Sequence, residues 1–513
     1  MDYTFLDDMK TSKFQKRLSI LAAIGPFTDG FNEFGASTAL LAIGVLFHLS
    51  VIMSSVILAS YWIGVGAGGM IGGIFSDKIG RKTLFVYDTI GMGVFALISA
   101  VSFNGVFFFF SRLLLGFFIG IDYVAALPLI SEYAPIKDRG KLLSTQKFFF
   151  TLGALLAIGE GLGLTILVGV DIAWRYIFIT AAIPVFILFF LRKSMPESIR
   201  WAVENGKEKR VKRIKSRLKK FGIDVNVKNS DMGTETSIKD NLKHFFSKPN
   251  LRALVYIFWL GTAYSMTINL VSVYEPKFLD DLGATSTISL LGSVISAFLG
   301  LIGTVIVILT IDKIGRKNIG VAGFMLSAIP MGVMYAAFTL HSATLPLIMS
   351  MFALFYFINV GTIGTLQYVP AAELGGTRNR GLSMGWDKLW EFPTAAGAFA
   401  LYAYLGPINS VLFDTIMPVV GGIILYILAI ETNDKSLEYI EDETINETDQ
   451  PKQVAPIMKP DSRSMFYGIS SNTSRDEIIL SIMEGVAFSR EGFAMARDGI
   501  VFPKSLATVQ HGN

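Results

Sequence analysis

Cysteine is absent from the 513 residues, and histidine occurs only four times. The first absence excludes disulfides, thiolate metal sites and a cysteine nucleophile. His48 and His341 fall at the outer ends of apolar runs and read as interfacial residues, so neither a metal site nor a cofactor is expected. Charge is also scarce. Asp, Glu, Lys and Arg make up 17% of the chain, against about 25% in a soluble protein, while 52% of residues are hydrophobic. The net charge of +4 does not point to nucleic acid, because the basic residues flank apolar runs. The glycine run from Gly64 to Gly73 lacks a following Lys-Ser/Thr and lies inside an apolar span, so it is a close-packing helix surface and not a phosphate loop. No cleavage-site pattern precedes the first long apolar run, which reads as a retained transmembrane helix.

What is present is a series of apolar stretches, each long enough at about 20 residues to cross a bilayer. Six lie near 18–47, 50–75, 84–103, 105–133, 142–170 and 173–192. A basic, polar linker follows over 193–250, and six more lie near 251–279, 285–311, 318–339, 343–370, 380–406 and 409–430. The expected organisation is a 1–17 N-terminal segment, a six-helix bundle over 18–192, the linker, a second six-helix bundle over 251–430 and a polar tail over 431–513. Basic clusters occupy the N-terminus and the loops after segments 2, 4, 6, 8 and 10, whereas the opposite loops hold little beyond Arg175 and Lys277. The positive-inside rule then puts both termini and the linker in the cytoplasm of a plasma-membrane protein that spans the bilayer twelve times.

The two bundles repeat one another. Asp77-Lys-Ile-Gly-Arg-Lys82 returns as Asp312-Lys-Ile-Gly-Arg-Lys317, 235 residues later and again between two apolar runs. Segment 4 ends at Glu132 and Arg139-Gly140 opens segment 5; segment 10 ends at Glu373 and Arg380-Gly381 opens segment 11. The charged residues Asp77, Arg81, Glu132, Arg139, Asp312, Arg316, Glu373 and Arg380 therefore form a paired set at the cytoplasmic helix ends. Arginine forks that bind carboxylates in one conformation and release them in another would make a gate.

Other charges lie deep inside spans, where they are expensive and by default face a cavity or a partner. Asp29 and Glu33 share a face of segment 1, one helical turn apart. Asp122 lies mid-segment 4, about 15 Å from Glu132. Each is either a proton or substrate site or one member of an ion pair that packs helices. Lys147 and Lys388 each follow the repeated arginine by eight residues, about 12 Å along a helix. Two cations beside Asp29, Asp122 and Asp387 suggest a substrate with an anionic group, or internal pairs that substrate breaks. Gln146, Asn269, Gln367, Tyr368 and Trp386 could add hydrogen bonds and a stacking surface.

Together these features resemble the major facilitator superfamily, and its sugar-porter branch in particular. The two hexapeptides look like that family's loop signature, Pro196-Glu-Ser-Ile-Arg200 like its P-E-S-P-R motif, and Glu431-Thr-Asn-Asp-Lys-Ser-Leu-Glu438 like its P-E-T-K-G-K-S-L-E motif. The substrate-facing positions depart from the branch. Asn269 to Tyr274 keeps its Asn-to-Tyr spacing, but Ala263-Tyr264 replaces the preceding Gln pair, and Lys147 stands where the branch has a sugar-binding Gln. A second resemblance is to proton-coupled phosphate symporters. Phe27-Thr28-Asp29 looks like their F-T-D, and Asp122-Tyr123 with Ser131-Glu132-Tyr133 looks like G-D-Y-P and S-E-Y. The resemblance implies that Asp29 and Asp122 belong to a proton route, although Ala263 falls where those symporters carry an Asp.

The expectation is an all-α membrane protein of the major facilitator fold and not an enzyme. It would be a secondary transporter that moves a sugar, sugar acid or other organic anion by alternating access with protons, and that works as a monomer in the bilayer. The alternatives are a facilitative sugar uniporter, a proton–phosphate symporter and a non-transporting nutrient sensor. In the tail, Gly468 to Phe488 resembles a short stretch of carbohydrate kinases, with no nucleotide-binding element elsewhere.

Overall fold

A computed structural model describes residues 3–225, 227, 232–234, 237–271, 275, 279 and 283–446. Tyr274, Lys277 and the kinase-like stretch of the tail lie outside them. The first half contains α1 (Lys13–Leu46), α2 (Val51–Ile79), α3 (Arg81–Ala100), α4 (Gly105–Tyr133), α5 (Arg139–Val168) and α6 (Val170–Arg192). The second contains α7 (Leu251–Val271), α8 (Ser286–Ile314), α9 (Arg316–Thr339) and α10 (Leu345–Asn359). A continuous helix, Arg380–Leu428, breaks at Gly406, whose φ of 72° only glycine adopts readily. We number its two parts α11 (380–405) and α12 (407–428). Ten helices among the described residues are long and apolar enough to cross a membrane. The other two long helices, α1 and α11, carry charged residues well inside their length. The protein is thus a multi-pass, all-α membrane protein built as two six-helix halves.

Local sequence explains where the helices begin. Ser12 caps α1 in a reciprocal capping box with Gln15, Ser50 caps α2 and Asn104 caps α4 through its side-chain oxygen. Each repeated hexapeptide makes the same turn. Gly80 and Gly315 have φ of 109° and 92°, and both are followed at once by the next helix. A carboxylate from the end of its own half then caps that helix. Glu197 accepts the Lys82 N–H at 3.0 Å, and Glu431 accepts the Arg316 and Lys317 N–H groups, both at 3.0 Å. These two acids belong to the motifs that follow α6 and α12, so the paired motifs serve as helix caps in equivalent places.

The halves meet along two helix pairs, α2 with α11 and α5 with α8. Glycine sets the distance in the first. Gly73 and Gly381 leave no room for side chains, since a Cβ on either would lie 2.5 or 2.9 Å from the other's carbonyl oxygen. One turn further on, a Cβ on Gly385 would lie 2.5 Å from the Gly69 carbonyl oxygen, and one on Gly69 would meet the Lys388 Cβ at 2.6 Å. The opposite face of α2 is equally bare. Cβ atoms at Gly64 and Gly68 would meet the α4 backbone at 2.0 and 1.9 Å, and those at Gly116 and Gly120 would meet the α2 backbone at 2.1 and 2.2 Å. This is reciprocal small-xxx-small packing, in which backbones approach closely because lipid provides no hydrophobic drive.

The N-terminal segment, the linker and the segment after α12 share one end of the bundle. Arg200 of the linker bonds Asp7 at 2.7 Å and also holds Glu438. The linker helix Glu208–Lys219 buries Val211, Ile214 and Leu218, an i, i+3, i+7 stripe.

Filling the α2–α4 contact should destabilise the protein. Gly68→Val, whose Cβ would meet the Phe117 carbonyl, is expected to cost about 1–3 kcal/mol or more. In a detergent thermal-shift assay it should melt several degrees below the unmodified protein, while Gly159→Ala, in open space, should not. Equal melting of the two variants would remove this account of the packing.

Candidate functional site

At the end of the bundle that carries the linker, a network of buried charges joins the halves. Asp77, at the end of α2, pairs with Arg81 at 3.0 Å and accepts the N–H groups of Gly381 and Leu382 at 3.0 and 2.8 Å. It therefore caps the first turn of α11 in the other half. Asp312 does the same in reverse, accepting the N–H groups of Gly140 and Lys141 at 2.9 and 2.8 Å while pairing with Arg316 at 3.1 Å. Helix N-termini carry unsatisfied donors and partial positive charge, so each carboxylate meets both at once.

The glutamates complete the network, but not symmetrically. Glu132 bonds Arg81 at 3.2 Å and Arg380, across the interface, at 2.8 Å. Glu373 bonds Arg316 at 2.9 Å and takes its second contact from Thr432. Arg139, the counterpart of Arg380, turns to Asp7 at 3.4 Å and to the Lys435 carbonyl at 3.0 Å. Burial pushes the Asp7 carboxyl up from its usual value. Burial acts the same way at Glu438, but there the Arg200 guanidinium outweighs it and holds the carboxyl below its usual value.

Several turns deeper lies a cavity lined from both halves. Asp29, Glu33, Lys147, Asn269, Gln367, Tyr368 and Lys388 all line it, and so does Glu391. Tyr61 and Tyr123 both donate to Asp29, the second at 2.6 Å. Tyr123 from α4 stacks on Tyr368, their ring centres 5.6 Å apart and their hydroxyls 3.3 Å apart. Lys388 lies 4.4 Å from the centre of the Tyr123 ring and is held by Glu391 and, at 3.3 Å, by Asp387. Lys147 donates to the Tyr264 hydroxyl at 2.9 Å and lies over the Phe150 ring at 4.2 Å. A π-helical turn, Val360–Gly364, follows α10 just before Gln367 and Tyr368. Irregular backbone of this kind is tolerated at membrane depth where it lines a cavity.

The other residues expected at the site lie elsewhere. Asp122 binds Arg192, which also pairs with Asp88 at 3.3 Å and donates to the Leu21 and Phe85 carbonyls. Gln146 donates to the Ser19 carbonyl at 3.2 Å, and Trp386 to the Leu254 carbonyl at 3.1 Å. Asp387 touches the site only through Lys388. Asp122, Gln146 and Asp387 are each one residue away from a lining residue, and one residue is a rotation of 100° about a helix. Sequence reading passed over Glu391, Asp88 and Arg192. Glu391 had a signal, because it follows Lys388 by three residues and so shares its face. Arg192, at the end of α6, read as one more loop charge.

The family described as "Sugar (and other) transporter" matches residues 7–443. The chain is 25% identical over 453 residues to the putative metabolite transport protein YaaU of Escherichia coli, covering 86% of this chain and 97% of that one. It is 26% identical over 456 residues to the glucose transporter GlcP of Staphylococcus epidermidis, covering 84% and 97%. Among solved structures, the proton:xylose symporter XylE of the major facilitator superfamily, bound to 6-bromo-6-deoxy-D-glucose, superposes with a TM-score of 0.72. That match has 22% identity and covers 83% of this chain and 98% of the other. The inward-open form of the same transporter gives 0.62.

The charge network should hold its end of the bundle shut, and the natural absence of cysteine makes this easy to test. A T151C reporter in the cavity should react slowly with an impermeant maleimide applied from the linker side. Adding Arg380→Ala should speed that reaction roughly tenfold or more, since hydrogen bonds to charged groups are worth about 1.5–3 kcal/mol. Equal rates would show that Arg380 does not latch the interface.

Proposed function

The chain belongs to the sugar (and other) transporter family, and from that premise we propose that it is a proton-coupled symporter of a sugar or a sugar-like polar solute. One observation carries the coupling. Three carboxylates, Asp29, Glu33 and Glu391, line the cavity with only two ammonium groups, Lys147 and Lys388. Counting Asp387, which sits on the Lys388 ammonium, and Arg112 of α4, which lies over the Tyr61 ring at 4.4 Å, leaves the same surplus of one acid. A surplus charge held away from water is costly, and a proton is the simplest means of removing it. Asp29, gripped by two tyrosine hydroxyls at the junction of α1, α2 and α4, and Glu33 one turn along are the groups we assign to that proton. Asp122 shares the guanidinium of Arg192 with Asp88 and lines no part of the cavity, and we assign it to holding α6 against α4.

Alternating access supplies the mechanism. With the linker end latched, the cavity would exchange with the opposite face. Protonation and solute binding would remove the surplus charge and allow the latch to part. The basic loops put the latched end in the cytoplasm of a plasma membrane, with both termini there. One chain supplies every lining residue and both halves of the latch, so a monomer suffices.

Proteoliposomes test the coupling. The sugars carried by relatives, D-xylose and D-glucose, serve as first probes together with D-glucuronate. An inward proton gradient of one pH unit is worth about 1.4 kcal/mol, or roughly tenfold accumulation per coupled proton. Asp29→Asn should reduce accumulation to equilibration while leaving solute exchange at zero gradient within a few-fold of normal. Undiminished accumulation would refute the role of Asp29, and uptake indifferent to a protonophore would refute symport.

A further inference from the structure

The two cavity lysines are in different states. Lys388 is saturated, with Glu391 and Asp387 both on its ammonium. Lys147 is 3% exposed and its ammonium has one hydrogen bond, to the neutral phenol of Tyr264. No carboxylate among the described residues lies within ion-pair distance of it. Three rings lie near it, Phe150 at 4.2 Å, Tyr264 at 5.2 Å and Tyr368 at 6.0 Å. The charged groups that face it across the cavity are Glu33 and Asp29 of α1 and Glu391 and Lys388 of α11. A buried ammonium with no counter-ion is an incomplete site.

Polar groups of the same cavity also have capacity to spare. The Gln367 side-chain amide lines the cavity and makes no hydrogen bond to any described residue. Asn269 uses its NH₂ on Ser265, at 2.9 Å to the carbonyl and 3.2 Å to the hydroxyl. That leaves its side-chain carbonyl as an acceptor for a solute hydroxyl. The cavity therefore offers one cation for one negative charge, and neutral amides for hydroxyl groups.

We propose that Lys147 and Gln367, with Asn269 beside them, form an acid-binding subsite, and that the transported solute is a sugar acid, a polyhydroxylated monocarboxylate. The inference rests on the transport reading above and narrows its substrate class. The charge of the site favours a monocarboxylate over phosphate. Among the described residues no arginine lines the cavity to fork onto a phosphate, and a dianion would face three carboxylates with one ammonium not already held by an acid. With Lys147 taken by the solute carboxylate, charge balance in the loaded, closed state requires a proton on both Asp29 and Glu33, two protons for each monocarboxylate.

Purified full-length protein in detergent, titrated calorimetrically at neutral pH, tests this. D-glucuronate and D-gluconate are compared with D-glucose and D-xylose, and with inorganic phosphate and L-alanine. We expect a sugar acid to bind at least roughly tenfold tighter than D-glucose, as a charge-assisted hydrogen bond allows. Lys147→Gln should erase that preference while still binding D-glucose, which also shows that the variant is folded. Lys147→Arg, which keeps the charge, should retain the preference. D-glucose binding as tightly as the acids, an unchanged ratio in Lys147→Gln, or tighter binding of phosphate or L-alanine would each overturn the proposal. Proton-driven accumulation of D-glucose without binding of either acid would defeat this inference and leave symport standing. Binding of a sugar acid without any proton-driven uptake would defeat symport alone.

Discussion

Charge inside hydrocarbon must find a partner or neutralise, and this bundle is arranged around that constraint. Arg81, Arg316 and Arg380 lie buried at helix ends against Glu132 and Glu373. Arg192 is enclosed by Asp88, Asp122 and backbone carbonyls. Lys388 has two acids of its own helix. The acids of α1, Asp29 held by two tyrosine hydroxyls, and the ammonium of Lys147, which meets no carboxylate among the described residues, stand around one cavity. On the proposed function the transport chemistry gathers at this cavity, where a surplus acid can gain from a proton and the Lys147 ammonium from a solute.

The latch and the cavity are joined through one helix contact. Where α2 crosses α11, Gly69 and Gly73 lie against Gly385 and Gly381. The last of these pairs sits beside the Asp77 cap, and the first is one turn deeper. A Cβ on Gly69 would also lie 2.6 Å from the Lys388 Cβ. The surface that seals the linker end thus also fixes the depth at which Lys388 enters the cavity. If α11 tilts away from α2, it breaks the Asp77 cap and moves Lys388 and Glu391 together. Gating and binding become two readouts of one rigid-body motion, a known form of coupling in packed helices.

Pseudo-symmetry holds for backbone roles and fails for side-chain partners. The hexapeptide turns, the capping acids Glu197 and Glu431, and the crossed caps of Asp77 and Asp312 all occur twice. Glu132 spans the interface to Arg380, whereas Arg139 binds Asp7 of the N-terminal segment. That segment has no counterpart preceding α7 that plays the same part among the described residues, so the equivalent arginines diverge. In the cavity, Lys147 and Lys388 occupy equivalent depths, yet only Lys388 has an acid three residues on in its own helix.

Much of this was legible in the chain. Apolar runs of spanning length predicted the helices, the repeated hexapeptide predicted two halves, and counting inward at 1.5 Å per residue placed Lys147 and Lys388 at cavity depth. Depth is a one-dimensional quantity, and the sequence alone determines it. Direction around the helix is different, since an error of one residue turns a side chain by 100° and no amphipathic pattern marks the lipid side in spans that are apolar all round. That is why Gln146 stood beside Lys147 and Asp387 beside Lys388 as candidates, and why Asp122 was chosen where Tyr123 lines the cavity, until the neighbouring helices were in place. Only tertiary packing decided which member of each pair faces the cavity, and only it brought Arg192 to Asp122 and left Lys147 without a carboxylate, because pairing depends on which helices are adjacent.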